Sequence, residues 1–235
     1  MGYERYLHLF SNLKIHTLRW DKNEKDFFYF LSLLDPKQGD ILDIGANLGL
    51  MTYHFSKAFP ETKIIAFEPE FTNLSVLKSI CSRYKLNNVS IYDCALGEKE
   101  GIVRMVLPNW GKIKMQGLSH VKHESIDTWN DGEEFSVPMK TLDQLFPNTK
   151  VQAIKLDVEN YEYFVLKGGE NLILRNNPII YVELWDNENR QKCFKFIQEL
   201  GYQIYVLVED ALVAFNPTIH HHHNFTFLPP NFKRS

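Results

Sequence analysis

The chain has 235 residues, a formal net charge of −3 and 44% hydrophobic residues, enough for a full α/β core and without the basic surplus of a nucleic-acid binder. No apolar run reaches bilayer-spanning length, and residues 1–20 carry charges where a signal peptide would have its apolar core, so membrane insertion is not expected. Cys81, Cys94 and Cys193 are odd in number and form no C-x-x-C, which fits a reducing, cytoplasmic compartment.

An N-terminal helical segment is predicted over residues 1–38, with Phe27, Phe30, Leu31 and Leu34 on one face of a helix within Glu24–Leu34. A first strand, Asp40–Ile44, leads into a helix from about Gly49 to Phe59, and a second strand covers Lys63–Phe67. The next helix sets Leu74, Leu77, Ile80, Cys81 and Tyr84 on one side, with Thr72 as its expected cap. A third strand, Val89–Asp93, runs into Cys94-Ala-Leu-Gly97. Residues 98–140 break the rhythm. Short alternating pieces at Gly101–Leu107 and Phe135–Met139 surround a polar stretch, which predicts an antiparallel excursion acting as a substrate lid. Alternation resumes with Val151–Leu156, a helix through Leu174 interrupted at Gly168-Gly169, and a fifth strand at Pro178–Leu184. A helix burying Cys193, Phe194, Ile197 and Leu200 precedes Tyr202–Val208, and Glu209-Asp210 turns that strand into Ala211–Phe215. With no helix between them, these last two strands must be antiparallel. His220–His223 reads as a native loop within a tail over residues 216–235, and Asn224-Phe-Thr-Phe-Leu-Pro-Pro230 after it is an apolar segment able to pack on the sheet. The expected architecture is a single Rossmann-like α/β domain over residues 1–235. Its sheet has seven mostly parallel strands with one antiparallel strand, and helices on both faces.

The segment Asp43-Ile-Gly-Ala-Asn-Leu-Gly49 closes the first strand. It places Gly45, Ala46, Asn47 and Gly49 in a turn at the mouth of a helix, where a ligand meets unpaired N–H groups. Glu68 ends the second strand, at about the separation from that turn where a ribose-binding acid sits in a doubly wound sheet. A dinucleotide site presents glycines to a pyrophosphate; an acid at Asp43 repels pyrophosphate and suits an ammonium. S-adenosylmethionine (SAM) carries an ammonium, a sulfonium and a ribose diol. Its expected contacts are Asp43, Gly45, Ala46, Asn47, Gly49, Glu68, Pro69, Asn73, Asp93, Cys94, Ala95 and Asp157. A reversed strand at the end of a parallel sheet is the arrangement of SAM-dependent methyltransferases of class I, which dinucleotide folds lack.

The chain resembles the FkbM family of methyltransferases over roughly residues 20–228. Asp43-Ile-Gly-Ala-Asn-Leu-Gly49 is similar to the family's D-x-G-A-N-x-G, and Phe67-Glu-Pro69 to its F-E-P. Thr141-Leu-Asp-Gln-Leu145 is similar to T-L-D-x-L. Lys155-Leu-Asp-Val-Glu-Asn-Tyr-Glu162 with Val165-Leu-Lys-Gly168 resembles K-x-D-V-E-G-x-E followed by V-L-K-G. Asn160 departs from the glycine usual at its place. The resemblance implies SAM as donor and O-methylation, often of sugar hydroxyls in glycans or glycosides; rhamnose or fucose is within the family's range.

Catalysis needs alignment of a nucleophile with the activated methyl and a group that takes its proton. Groups at strand carboxyl ends are the candidates. Asp157 is assigned to the methionine part of SAM or a metal, Glu159 to the acceptor or its proton, and Glu183 to acceptor binding or a metal. His120 and His123 are loop candidates for a base or sugar ligand. Asp157, Glu183 and Asp186 would be the oxygen ligands of Mg²⁺ if the reaction uses one. Trp110, Trp129 and Trp185 suit the faces of a sugar. Beside these stand plainer readings: Asp43 and Asp157 as helix caps, Glu159 and Glu162 on a solvated helix face, Glu183 in a structural ion pair, His54 as packing. Three functions compete: the sugar O-methyltransferase, a methyltransferase of another small molecule, nucleic acid or protein, and a non-catalytic module. Against nucleic acid, the fourth strand ends in Lys-Leu-Asp-Val-Glu and lacks an Asn/Asp-Pro-Pro-Tyr/Phe box.

Overall fold

A computed structural model describes residues 2–110, 113–124, 126 and 129–232. In chain order its elements are α1 (Tyr3–Thr17), α2 (Lys25–Leu31), β1 (Asp40–Ile44), α3 (Leu50–Ala58), β2 (Ile64–Phe67), α4 (Phe71–Arg83), β3 (Val89–Tyr92), β4 (Ala95–Leu96), β5 (Gly101–Trp110), β6 (Ile113–Lys114) and β7 (His120–Val121). There follow β8 (Gly132–Lys140), α5 (Leu142–Leu145), β9 (Val151–Leu156), α6 (Glu162–Lys167), α7 (Glu170–Asn176), β10 (Ile179–Glu183), α8 (Glu188–Glu199), β11 (Gln203–Val208), β12 (Ala211–Ala214) and β13 (Asn224–Leu228).

The main sheet runs β12-β11-β13-β10-β9-β1-β2-β3. From β10 to β3 all neighbours are parallel. Parallel strands must be covered on both sides, and every residue of β9 is buried. On one face Ile41, Ile64 and Ala153 pack against Phe27, Phe30, Phe55 and Phe59 of the N-terminal half. On the other, Leu42, Ile65 and Ile154 meet Val165, Leu172 and Ile197 of α6, α7 and α8. Each such side chain contributes roughly 1.5–3 kcal/mol by leaving water. The fold is that of a class I methyltransferase with a mixed sheet.

Three details correct the sequence expectation. The sheet has eight strands, with two reversed. The reversed strand inside it is β13, antiparallel to both β10 and β11, from a segment read as tail. Ala211–Ala214 only extends the edge as a hairpin with β11. The apolar Asn224–Leu228 was expected to pack on the sheet, and Phe225 and Phe227 are buried there; that it pairs between two strands as one of them is set by tertiary contacts alone. Finally, Glu70 caps α4 in place of Thr72: its carboxylate accepts the Asn73 N–H at 2.8 Å, because the helix begins at Phe71.

The 98–140 excursion forms a second sheet, in which β5 and β8 pair along most of their length and β4, β6 and β7 flank them. The interruption at Gly168 has a steric cause. A Cβ there would lie 1.9 Å from the Gly97 carbonyl oxygen, so only glycine lets α6 meet the chain leaving β4.

Candidate active site

The turn after β1 is welded to the loop after β9. Gly45 has φ of +75°, and a Cβ on it would sit 1.8 Å from the Asp157 carbonyl oxygen. Lys155, buried at the end of β9, donates to the Gly45 carbonyl at 2.7 Å. Its ammonium also lies 3.3 Å from an Asp157 carboxylate oxygen and 3.7 Å from Asp43. Burial works to lower the Lys155 pKa, and the Asp157 and Asp43 carboxylates more than offset it, so the pKa is raised. Asp43 is fully buried and takes a 2.5 Å hydrogen bond from Thr52, with burial pushing its pKa up. Its carboxylate thus faces Lys155 and Thr52, and it lines neither cleft described below. Sequence reasoning quoted Lys155 within a motif and gave it no role. A lysine inside an otherwise apolar strand was the available signal, since a buried ammonium needs partners.

Beside this weld opens a cleft of about 590 Å³. Its lining includes Gly45, Asn47, Glu68, Pro69, Asn73, Cys94 and Ala95 from the expected cofactor set, with Asp157, Glu159 and Tyr161 at the far side. Met105, Gly117, Ser119 and Val121 of the excursion roof it. Three carboxyl groups line the cleft and, among the described residues, no Lys, Arg or His does. The Glu68 carboxylate accepts the Asn47 N–H at 2.7 Å and the Glu70 N–H at 2.9 Å. Burial pushes its pKa up to about 7 against the pull of those bonds. Two buried oxygens in the lining, Asn47 Oδ1 and Ser119 Oγ, have no hydrogen-bond partner among the described residues. Asp93 is exposed and outside the lining; Gly49 is buried at the start of α3; Ala46 lines the neighbouring cleft.

The loop that follows β9 is strained. Glu159 and Asn160 have φ of +55° and +73°, a region that non-glycine residues enter at a cost. Position 160 therefore needs left-handed backbone, which explains the glycine of the resembling motif, and asparagine is the side chain that best tolerates it. Glu162 holds the loop: its carboxylate accepts the Val158 and Asn160 N–H groups at 3.2 and 3.1 Å and the Asn189 amide at 2.6 Å. Glu162 is buried, which corrects its reading as a solvated helix residue, and burial pushes its pKa up to about 7. Glu159 accepts the Trp185 indole N–H at 3.2 Å. Burial first, then the charges of Asp157, Glu183 and Glu162, push its pKa up to about 9. Glu183 is raised by burial and by Asp157, with Lys155 opposing.

Glu159 also lines a hollow of about 460 Å³ with His120, Trp129, Asn160 and Trp185. Trp129 has φ of +60°, so three positive-φ residues meet at this one hollow. The His120 ring nitrogens lie 2.8 Å from the Leu118 carbonyl and 3.3 Å from Asn130 Oδ1. His123 packs edgewise on Tyr161 and lies against Phe164, away from the hollow's lining. The Trp110 side chain lies outside the described residues. On the other side of the Gly45 turn, a larger cleft of about 1090 Å³ gathers Glu24, Asp157 and Glu183 with Phe10, Tyr181 and Asn224. Glu24 was not singled out in the sequence, because its place beside β10 arises only in the tertiary fold.

The structure does not support the metal reading. Among the described residues no three His, Cys, Asp or Glu side chains converge to hold an ion. Asp186 is largely exposed and pairs with Arg190 at 3.1 Å, apart from Asp157 and Glu183. The His220–His223 run likewise forms no such group; His223 stacks near Trp185.

Comparison with known proteins agrees with this geometry. The profile of the methyltransferase FkbM domain matches residues 43–210. The chain is 27% identical over 169 residues to Methyltransferase 1 of Beauveria bassiana, covering 65% of this chain and 67% of that protein. It is 24% identical over 198 residues to Methyltransferase sdnD of Sordaria araneosa, covering 72% and 75% respectively. The crystal structure of methyltransferase FkbM from Methylobacillus flagellatus superposes with a TM-score of 0.56 at 15% identity, over 81% of this chain and 43% of that one, so the chain spans less than half of that structure. The turn after β1, the acid ending β2 and the Lys155–Glu162 loop all fall inside the matched region, and the chain belongs to the FkbM family of methyltransferases.

Proposed function

We propose that the protein transfers a methyl group from SAM to a sugar hydroxyl, and that the acid-lined cleft holds the donor. The observation that carries this reading is the lining itself: Glu68, Asp157 and Glu159 with no basic side chain among the described residues. A pyrophosphate would find no cation there, whereas a ligand with a sulfonium and an ammonium finds carboxylates. The partnerless Asn47 Oδ1 and Ser119 Oγ fit a polar ligand, since buried oxygens are ordinarily satisfied. In this reading Glu68 accepts from the ribose diol, and Cys94, Ala95, Leu96, Met105 and Val121 cover the adenine. Asp157 takes the methionine end. Asp43 acts at one remove, through Lys155, by holding the Gly45 turn.

SAM supplies a methyl already activated on sulfur, so the protein's task is to align the acceptor oxygen and take its proton. Glu159 touches both the donor cleft and the tryptophan hollow. Burial first, and then the surrounding carboxylates, favour its protonated form at neutral pH; a cation in the adjoining cleft stabilises the ionised form. Glu159 thereby becomes the base for the acceptor hydroxyl when the donor is in place, worth roughly 10²–10⁴-fold in rate. The indole faces of Trp129 and Trp185 suit the apolar face of a pyranose, and a deoxyhexose such as rhamnose or fucose presents more apolar surface than a fully hydroxylated hexose. His120, on the same hollow, is assigned to acceptor binding. Labelled SAM offered with a panel of glycosides, read by mass, tests the reading. Methylated glycoside supports it, and transfer confined to non-sugar acceptors overturns it.

A further inference from the structure

Helix α1 has two apolar faces: one is buried, and the other is largely exposed, tied to the excursion by the Tyr3 hydroxyl, which donates to the Lys114 carbonyl at 2.9 Å. Leu7, Ser11, Ile15 and the following Leu18 are buried against the body of the protein. Tyr3, Tyr6, Phe10 and Leu13 recur at helical spacing on a different side and are 40%, 48%, 38% and 62% exposed. Their rings form a continuous ridge, with centroids 6.3 Å apart from Tyr3 to Tyr6 and 6.0 Å from Tyr6 to Phe10. Leu9, 50% exposed, and Trp20, 78% exposed, extend the same surface. Other exposed large apolar residues, such as Ile102, Leu174 and Ile219, lie far apart in the chain, and single ones are ordinary.

The flanks of the ridge are basic. Residues 3–22 hold Arg5, Lys14, Arg19 and Lys22 against Glu4 and Asp21, in a chain whose net charge is −3; Lys14 is ion-paired with Asp21, which leaves Arg5, Arg19 and Lys22 as the basic groups. Aromatic and leucine side chains beside Lys and Arg are what a helix lying in a lipid headgroup layer presents. A second copy would bring a like positive strip against this one; an anionic surface gains from both the ridge and its flanks. The contact is peripheral and differs from a span: no helix among the described residues is long and apolar enough to cross a membrane.

We propose that the Tyr3–Leu13 face of α1, with Trp20, docks on an anionic lipid surface. Phe10 belongs both to the ridge and to the lining of the cleft that holds Glu24, Asp157 and Glu183; the contact proposed is made by the ridge and its basic groups, with that acidic cleft facing away from the lipid. The test is co-sedimentation of the full chain with phosphatidylcholine vesicles, with and without about 30 mol% phosphatidylserine, at low and high salt. Binding is expected on the anionic vesicles, weakened by salt. The double variant Tyr6→Ser/Leu13→Ser should lose about tenfold in partitioning while its melting temperature and SAM affinity stay at wild-type values. Three results overturn the proposal: no binding at millimolar lipid, equal binding by the variant, or a wild-type dimer that the same variant dissolves. Because SAM affinity is read separately, failure here leaves the donor-cleft reading standing, and the reverse.

Discussion

At the end of β2 the Glu68 carboxylate meets two backbone N–H groups, whereas past the end of β9 Glu159 meets three other carboxyl groups and one indole. The donors to Glu68 come from the two adjoining strand-to-helix turns, after β1 and after β2. The groups around Glu159 come from the loop after β9, from α6 and from the end of β10 and beyond, and its backbone is held in a left-handed conformation. The first end is preorganised to receive a neutral diol. The second favours a protonated Glu159, through burial and its acidic neighbours, and an incoming cation shifts it toward the ionised form.

The strongest way to break the comparison is to cut the weld between the two ends. Lys155→Met leaves the buried Asp43 and the Asp157 carboxylate without their cation, at a cost of about 3–5 kcal/mol of stability by urea unfolding. A loss below about 1 kcal/mol would show that Lys155 joins nothing. Next in size, Glu159→Gln should lower turnover about a hundredfold or more, well beyond any loss of SAM affinity; undiminished turnover removes Glu159 from the proton path. Glu68→Ala should weaken SAM by about 1.5–3 kcal/mol, the worth of a hydrogen bond to a charged group, measured by calorimetry.

The pH dependence separates the two ends further. A carboxyl raised in the fold contributes stability fully below its ordinary range and loses it as pH rises through the raised value. Glu68 and Glu162, raised to about 7, and Glu159, raised to about 9, therefore make the SAM-free protein melt higher at pH 6 than at pH 9. Glu159→Gln should flatten the alkaline part of that decline, and a melting temperature that climbs toward pH 9 would contradict the cause assigned here. SAM affinity should move the other way, weakening as pH falls below about 7, because ionised Glu68 is the better acceptor for a diol. Smallest of all, Trp185→Phe removes one indole bond from Glu159 and should cost about 1 kcal/mol or less. A larger loss would mean that Trp185 is a pillar of the fold.

Legibility in the sequence followed the same division. The Asp43–Gly49 turn and Glu68 could be read directly, because strand, turn and acid are local and their spacing carries the chemistry. The loop at Asp157–Glu159 was legible as a motif, but not the burial of Glu162 or the role of Lys155, which depend on contacts with Asn189 and Asp43 from other segments. Asp43 shows the limit of motif reading: the type and place suggested a ligand contact, yet its neighbours in the fold are Thr52 and Lys155. For β13 the apolar Asn224–Leu228 segment was legible as one that packs on the sheet, but not its place: insertion between β10 and β11 is specified by the slot it fills.

Calorimetric titration of SAM and of NAD into the protein at neutral pH, repeated with Glu68→Ala, tests the central claim most directly. Saturable SAM binding that the substitution weakens, with no heat from NAD, is the predicted result. Silence with millimolar SAM, or binding of NAD in its place, would contradict the assignment of the acid-lined cleft to a sulfonium donor.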